Sequence, residues 1–257
     1  MRKNDTRHFS LRDIQLALVL LTRLPLPKMP PDAFLRQAHA VWAFPLVGIC
    51  VAGCAAVAGG LTTAAGLPST VTAGVFLCVQ MLISGAMHED GLADTADGFW
   101  GGFTRERRLE IMKDSHIGTY GVLALIVSVG LRWVTLAALL PISGFAPVLA
   151  VAALSRAAMP VMMIALPNAR STGLSQSVGR PPLRSVLVSG LIASGISLII
   201  LGLSVTLVLS AIGIALLLGL AGLAQVKIKG QTGDILGATQ QVLELALLIG
   251  CLALISI

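Results

Sequence analysis

The chain has 257 residues, 56% of them apolar and only 12% charged, with a mean hydropathy of +0.89. An ordinary soluble domain carries roughly 25% charged residues, so a water-soluble globule is excluded. The net charge of +6, from 18 Lys and Arg against 12 Asp and Glu, would suit nucleic acid in a soluble protein, but membrane topology accounts for it here and no nucleic-acid partner is expected.

The chain reads as all-α: a polytopic membrane helical bundle in one domain over 1–257, because a helix satisfies its own backbone in lipid. At the N-terminus, basic residues precede an apolar run over 14–21. Thr22-Arg23-Leu24-Pro25 then stands where a signal peptide would need small residues for cleavage, so the segment predicts an uncleaved interfacial helix. Apolar runs near the ~20 residues that cross a bilayer follow at 40–61, 70–87, 117–140, 145–166, 186–204, 206–225 and 235–257, giving about seven transmembrane helices. The stretch 186–225 is apolar throughout and too long for one crossing, and the turn is placed near 202–204. Cys50, Cys54, Cys78 and Cys251 lie inside these runs without the His partners zinc would need, and read as packing residues.

Charge placement gives the orientation. Arg2, Lys3, Arg7, Arg12, Arg23, Lys28 and Arg36 precede the first span; Arg105, Arg107, Arg108 and Lys113 follow the second; Arg170, Arg180 and Arg184 follow the fourth; Lys227 and Lys229 follow the sixth. The segments near 62–69, 141–144 and 202–206 carry no charge. Cytoplasmic loops hold the Lys and Arg, so the N-terminus and every polar loop are expected in the cytoplasm and the C-terminus outside.

Seven of the 12 acidic residues fall between 89 and 114. The run His88-Glu-Asp-Gly-Leu-Ala-Asp-Thr-Ala-Asp-Gly98, continued from the second span, would set Asp90, Asp94 and Asp97 at i, i+4 and i+7 on one helix face. Like charges so spaced repel unless a cation sits among them. Hard oxygen ligands point to Mg²⁺ or Mn²⁺. The plainer alternative is a solvated acidic cap pairing with the basic run at 105–113, each pair worth ~0–1 kcal/mol. Gly91, Gly98, Gly101, Gly102, Gly118 and Gly121 around the acids favour a site by permitting close approach of backbone or ligand.

Arg105 and Arg108, at i and i+3, and Lys113 suit phosphate oxygens, or equally serve as topology charges. Asp114 is a fourth acid for the cation, or a base toward an attacking hydroxyl. His88 and His116 read as hydrogen-bonded interface residues rather than metal ligands. A second polar island, Lys229-Gly-Gln-Thr-Gly-Asp-Ile-Leu-Gly-Ala-Thr239, places Asp234 at a helix start, as a carboxylate facing the helix dipole or as a catalytic or ligand group. Arg132 and Arg156 lie deep in spans, where an ionisable group needs a partner. Arg156 is expected to meet acids of the first island, and Arg132 to snorkel outward.

Five motifs in order resemble those of the cobalamin synthases, the adenosylcobinamide-GDP ribazoletransferases. These are Leu21-Thr-Arg-Leu-Pro-Leu-Pro27, Phe44-Pro-Leu-Val-Gly48, the acidic run 88–98, Ile111-Met-Lys-Asp-Ser-His-Ile-Gly-Thr-Tyr-Gly121 and Thr232-Gly-Asp-Ile-Leu-Gly237. Lys229 and Gln231 depart from the pattern, which has Gly and an aromatic there. The resemblance implies a bacterial inner-membrane enzyme that joins adenosylcobinamide-GDP to α-ribazole or its 5′-phosphate and releases GMP. It also implies Mg²⁺ as cofactor. In that reading Asp90, Asp94 and Asp97 bind Mg²⁺, Asp114 completes the site or acts as base, Arg105, Arg108 and Lys113 hold the diphosphate, and Asp234 orients the ribazole hydroxyl. Arg156 and His88 are further substrate contacts. A corrinoid exceeds what seven helices enclose, so an open groove shared between protomers of a homo-oligomer is expected. A CDP-alcohol phosphotransferase would need acids at closer intervals than Asp90 and Asp114 offer. An ion-coupled transporter would need an inverted repeat that the sequence lacks.

Overall fold

The computed structural model describes residues 9–255; Arg2, Lys3 and Arg7 of the basic segment, and the last two residues of the seventh expected span, lie outside them. The chain runs through α1 (Arg12–Leu21), α2 (Gln37–Ala40), α3 (Phe44–Ala64), α4 (Ser69–Ser84), α5 (Met87–Gly101), α6 (Arg105–Ile111), α7 (Thr119–Ser143), α8 (Ala146–Ala165), α9 (Leu174–Val178), α10 (Leu183–Ile228) and α11 (Gly233–Ile255). No strand forms among the described residues beyond one isolated bridge, Asn168 to Gln231.

Among the described residues five helical stretches are long and apolar enough to cross a membrane: Pro31–Ala64, α7, α8, α10 and α11. Counting α4 and α5 as one bent span makes six, so the expected seven is not reached on this count. Part of the difference lies in α10, whose helix is broken at Gly202 with φ 76 and ψ 174, a conformation that glycine adopts freely. Ser197 Oγ and Thr206 Oγ1 stand 3.0 Å apart across that break. Nine residues of straight helix would separate them by about 13 Å, so the chain folds back at Gly202, where the turn was expected. The half before the break packs Ala193 on α8, and the half after it packs Leu209 on α11.

The second expected span ends early. Gly85 and Ala86 both take left-handed conformations, φ 65 and 53, and α5 leaves at 87° to α4. A left-handed glycine is a common helix terminator, and Arg23 closes over this one, its backbone N–H donating to the Ile83 carbonyl at 2.7 Å. The acidic run is therefore a separate helix and not an extension of α4.

Two backbone contacts set the layers. Gly48 brings α3 against the Ala152 carbonyl of α8, with no room for a side chain between them. On α5, a Cβ at Gly91 would stand 2.7 Å from the Asp234 carbonyl oxygen, so α5 and the start of α11 touch main chain to main chain. At the N-terminal end, α1 carries Asp13, which accepts from Arg36 Nε and Trp42 Nε1, each at 3.0 Å. Burial alone would raise the Asp13 pKa, but these donors outweigh it and hold the carboxyl below its usual value. Of the cysteines, Cys251 packs in the core as expected, whereas Cys54 and Cys78 lie on the outer surface.

Arg132 does not snorkel; it is completely buried. Its Nη1 donates to Glu89 Oε1 at 3.0 Å and Gln241 Oε1 at 2.7 Å, and its Nη2 to Gln80 Oε1 and Glu244 Oε1, both at 2.8 Å. Acceptors from α4, α5 and α11 remove any reason to reach for water. Arg156 Nη1 lies 3.6 Å from Glu244 Oε2 and donates to the Ala152 carbonyl, so its closest acid is on α11 and not in the first polar island. Replacing Arg132 by Ala should lower stability by about 3–5 kcal/mol, because Glu244 and Glu89 would be left buried without their cation. Unfolding by SDS titration in mixed micelles measures this, and a midpoint equal to that of the unaltered chain would refute the role.

Candidate functional site

The polar segments converge at one end of the bundle. Arg105 Nε donates to the Ile228 carbonyl and its Nη2 to that of Ala169, both at 2.9 Å. Arg108 donates to the carbonyls of Gly102 at 2.9 Å and Lys227 at 3.0 Å. Both guanidiniums thus bind carbonyls at the end of α10 that have no helical partner of their own, and α6 is fastened to the 166–169 and 227–229 segments. These two arginines, expected at a diphosphate, are engaged in holding the loops. Lys113 stands exposed in the turn after α6.

Asp90 and Asp94 lie one turn apart on α5 and face the start of α11. The half-buried Asp94 carboxyl sits in the field of three other acids, Asp234, Asp90 and Asp97, opposed by one cation, Arg170. Arg170 Nη1 donates to Asp234 Oδ2 at 3.0 Å and its Nη2 to the Leu109 carbonyl at 3.1 Å. Thr232 Oγ1 donates to the same Asp234 oxygen at 3.1 Å. Arg170 was visible in the sequence only as a loop charge; no spacing rule links it to an acid 64 positions away.

Asp97, aligned with Asp90 and Asp94 in sequence, has another task. Its Oδ2 accepts from the Gly118 backbone N–H at 2.7 Å and its Oδ1 from that of Gly121 at 2.9 Å. These are first-turn donors of α7 that lack a helical acceptor, and a carboxylate is favoured there by the helix dipole. A Cβ at Gly118 would stand 2.5 Å from Asp97 Oδ1, which explains the glycine. Asp114 is also apart: in the exposed turn before α7 its Oδ1 pairs with His116 Nδ1 at 2.7 Å. The hydrogen bond from His116 lowers the Asp114 pKa, and the same bond raises that of His116. His116, with 89% of its side chain exposed, is not the interface residue expected. His88, expected as a hydrogen-bonded interface residue, is buried, and its Nε2 has no hydrogen-bond partner.

The four-acid set of Asp90, Asp94, Asp97 and Asp114 is thus not assembled. Asp90, Asp94 and Asp234 converge instead, beside Arg170. Among the described residues no three His, Cys, Asp or Glu side chains form a ready-made metal centre. The donors that do converge are hard carboxylates, and they fit Mg²⁺ in its usual form, with one or two protein carboxylates and substrate phosphate oxygens or water filling the other positions. A cavity of about 170 Å³ opens next to them, lined by Asp90, Asp234 and Arg170 and walled by residues of α3, α5, α8 and α11.

Comparison with known proteins agrees in one direction. The family described as cobalamin-5-phosphate synthase matches residues 13–252. The adenosylcobinamide-GDP ribazoletransferase of Bradyrhizobium diazoefficiens is 44% identical over 241 residues, covering 93% of this chain and 92% of its own. That of Sinorhizobium medicae is 45% identical over 256 residues, covering 94% and 96%. That of Azorhizobium caulinodans is 42% identical over 258 residues, with the same coverage. No solved structure matches.

The Asp97 geometry has a measurable consequence. Asn at this position keeps one acceptor oxygen and turns an NH₂ toward the second α7 donor. Asp97→Asn should therefore destabilise the fold by about 1–3 kcal/mol, read as an earlier unfolding midpoint. An unshifted midpoint would show that the two N–H bonds contribute nothing.

Proposed function

Since the chain belongs to the cobalamin synthase family, the adenosylcobinamide-GDP ribazoletransferases, we propose that the acid cluster joins adenosylcobinamide-GDP to α-ribazole or its 5′-phosphate with Mg²⁺. This is the late step of nucleotide-loop assembly in cobalamin biosynthesis. The observation that carries the reading is the meeting of Asp90 and Asp94 with Asp234 and Arg170 beside a cavity.

The reaction breaks one P–O bond of a diphosphate and forms another. A ribose hydroxyl of the ribazole other than the 5′ one, which is blocked in the 5′-phosphate, attacks the cobinamide-side phosphorus, the bridging oxygen leaves with GMP, and the hydroxyl proton is released. Little covalent chemistry is asked of the protein; position and charge are. Mg²⁺ held by Asp90 and Asp94 would supply charge neutralisation on the diphosphate oxygens. Asp234, oriented by Arg170 and Thr232, accepts the hydrogen bond of the attacking hydroxyl and takes its proton. Arg170 is the guanidinium at the cluster, and Lys113, exposed in the turn after α6, is a further candidate cation for the diphosphate. Glu89 near the start of α5 and Asp97 near its end both fasten it to α7, and neither touches substrate.

The corrinoid is far larger than the cavity beside the acids, so its ring lies outside, in an open groove at the polar end that a second protomer helps to line. The segments carrying Arg105, Arg170 and Lys227 meet at that end, and their charge supports placing it on the cytoplasmic side of the inner membrane.

The test is mass spectrometry of GMP and corrinoid product from purified protein in detergent, given adenosylcobinamide-GDP and α-ribazole with Mg²⁺ or with EDTA. Product is expected with Mg²⁺ and not with EDTA; folded protein yielding none with either ribazole form would overturn the reading. Asp94→Asn should abolish turnover with the fold intact, and normal activity would remove it from the site. Gly91→Ala should push α5 off the Asp234 carbonyl and lower kcat by about 10²-fold, the usual cost of a shift near 1 Å in reacting groups; an unchanged kcat would show that the spacing is not critical.

A further inference from the structure

Between Arg170 and Arg180 the chain is held firmly at both ends and lightly in between. Upstream, the Ala169 N–H donates to the Gln231 carbonyl and the Gln231 N–H to that of Pro167, both at 2.8 Å, and Arg170 is fixed on Asp234 and the Leu109 carbonyl. Downstream, Arg180 Nη2 donates to the Ile164 carbonyl at 2.9 Å. Among the described residues, the hydrogen bonds that tie 171–179 to the rest of the chain all involve one atom, Ser175 Oγ, which lies 2.7 Å from Gln231 Oε1 and 3.3 Å from Asn168 Oδ1.

This segment contains α9, with Gly173 immediately before it at φ 113 and Gly179 immediately after it at φ 79. Both have ψ near 180°, a backbone conformation open in practice to glycine alone. A Cβ at either position would meet nothing within 4 Å, so the backbone and not the space selects glycine there. Ser175 and Val178, one turn apart, face inward with 4% and 8% exposed, while Leu174, Gln176 and Ser177 remain exposed. Val178 packs in the same apolar cluster as Met159 and Met163. Leu174, Ser175 and Val178 line the cavity that Asp90, Asp234 and Arg170 also line, so α9 is the wall between the acid cluster and solvent on that side.

The chemistry of the site gives this wall a task. A carboxylate that takes the proton of a ribose hydroxyl can take one from water as well. Hydrolysis then follows: the water oxygen bonds to the cobinamide-side phosphorus, the bridging oxygen leaves with GMP, and adenosylcobinamide phosphate and a proton are produced. Closing a site over the bound acceptor prevents such side reactions. We propose that α9 is a lid on the cavity, hinged at Gly173 and Gly179 and latched by Ser175 on Gln231, which opens to admit substrate and, when closed, keeps water from competing with the ribazole. The proposal rests on the ribazole-transfer reading above and adds to it what decides the nucleophile. Ser175 is a positioning residue that acts through α9. Gln231 suits the other half of the latch, being 2% exposed and fixed by its own N–H and carbonyl.

The experiment gives the full chain in detergent adenosylcobinamide-GDP and Mg²⁺, with and without α-ribazole, and follows GMP, cobalamin and adenosylcobinamide phosphate by mass spectrometry. The unaltered protein should release GMP and form cobalamin in equal amounts, and release little GMP without α-ribazole. Ser175→Ala should release GMP in excess of cobalamin, with adenosylcobinamide phosphate matching the excess. It should also raise the ribazole-independent release about fivefold, the equilibrium effect of one hydrogen bond. Ser175→Thr, which keeps the hydroxyl, should restore equal amounts, and Gly179→Ala, strained in the closed position, should reproduce the excess. A purely structural loss would lower both products together and leave their ratio unchanged. Equal amounts and low release from folded Ser175→Ala would overturn the lid and leave ribazole transfer standing; should that variant not fold, Gly179→Ala is judged in the same way. Hydrogen exchange of the unaltered protein is the second measurement. Amides of 174–179 should exchange far faster than those of α11 and slow with α-ribazole and Mg²⁺ present, and exchange as slow as that of α11 in the free protein would overturn the lid. Absence of product from the folded, unaltered protein would overturn the transfer reading and the lid together.

Discussion

A single buried guanidinium organises this bundle. Arg132 of α7 donates to side chains of α4, α5 and α11, two of which are carboxylates. With Arg156 near Glu244, the cluster contains two guanidiniums and two carboxylates and is formally neutral. In a low-dielectric interior an unpaired charge of either sign would be prohibitive, so the set forms complete or not at all. Gln80, Gln240 and Gln241 add further donors and acceptors: Gln240 binds the other Glu244 oxygen, and Gln241 bridges Glu89 to Gln240, while Glu89 Oε2, Arg132 Nε and Arg156 Nε have no hydrogen-bond partner.

The site depends on this cluster through the rotation of α5. Glu89 points inward to Arg132 in the middle of α7, and Asp97, two turns further along α5, is anchored by the first turn of the same helix. Successive helix residues are turned by about 100°, so fixing Glu89 inward leaves Asp90 and Asp94 directed elsewhere, toward the start of α11. Gly91 then lets the two backbones touch, which brings Asp234 within the field of both acids. The three carboxylates are held together against their mutual repulsion by contacts that lie outside the cluster.

The polar end shows a related division of labour. Cations there could have faced substrate, but Arg105 and Arg108 reach back to main-chain carbonyls where α10 ends. A guanidinium offers five donors in a planar fork, enough to tie several loop carbonyls with one side chain. Arg170 is the exception, placed between Asp234 and the Leu109 carbonyl, so it links the acid cluster to the fastened loops.

Helix positions and the polar end were legible in the chain itself. Apolar runs marked α3, α7, α8 and α11 to within a few residues, and the reversal at Gly202 fell where 186–225 became too long for one span. The acids of 88–98 and Asp234 were recognisable because carboxylates at a membrane edge are costly and so conspicuous. Periodicity could not separate Asp97 from Asp90 and Asp94, since all three share one helical face and only the approach of Gly118 and Gly121 gives Asp97 its partners. Nor could it foresee the bend at Gly85, the burial of Arg132, or the pairing of Arg170 with Asp234. Local sequence determines which segments enter lipid, because that depends on transfer free energy summed along one helix. Which charges meet is a property of distances between helices far apart in sequence, and only the tertiary structure decides it.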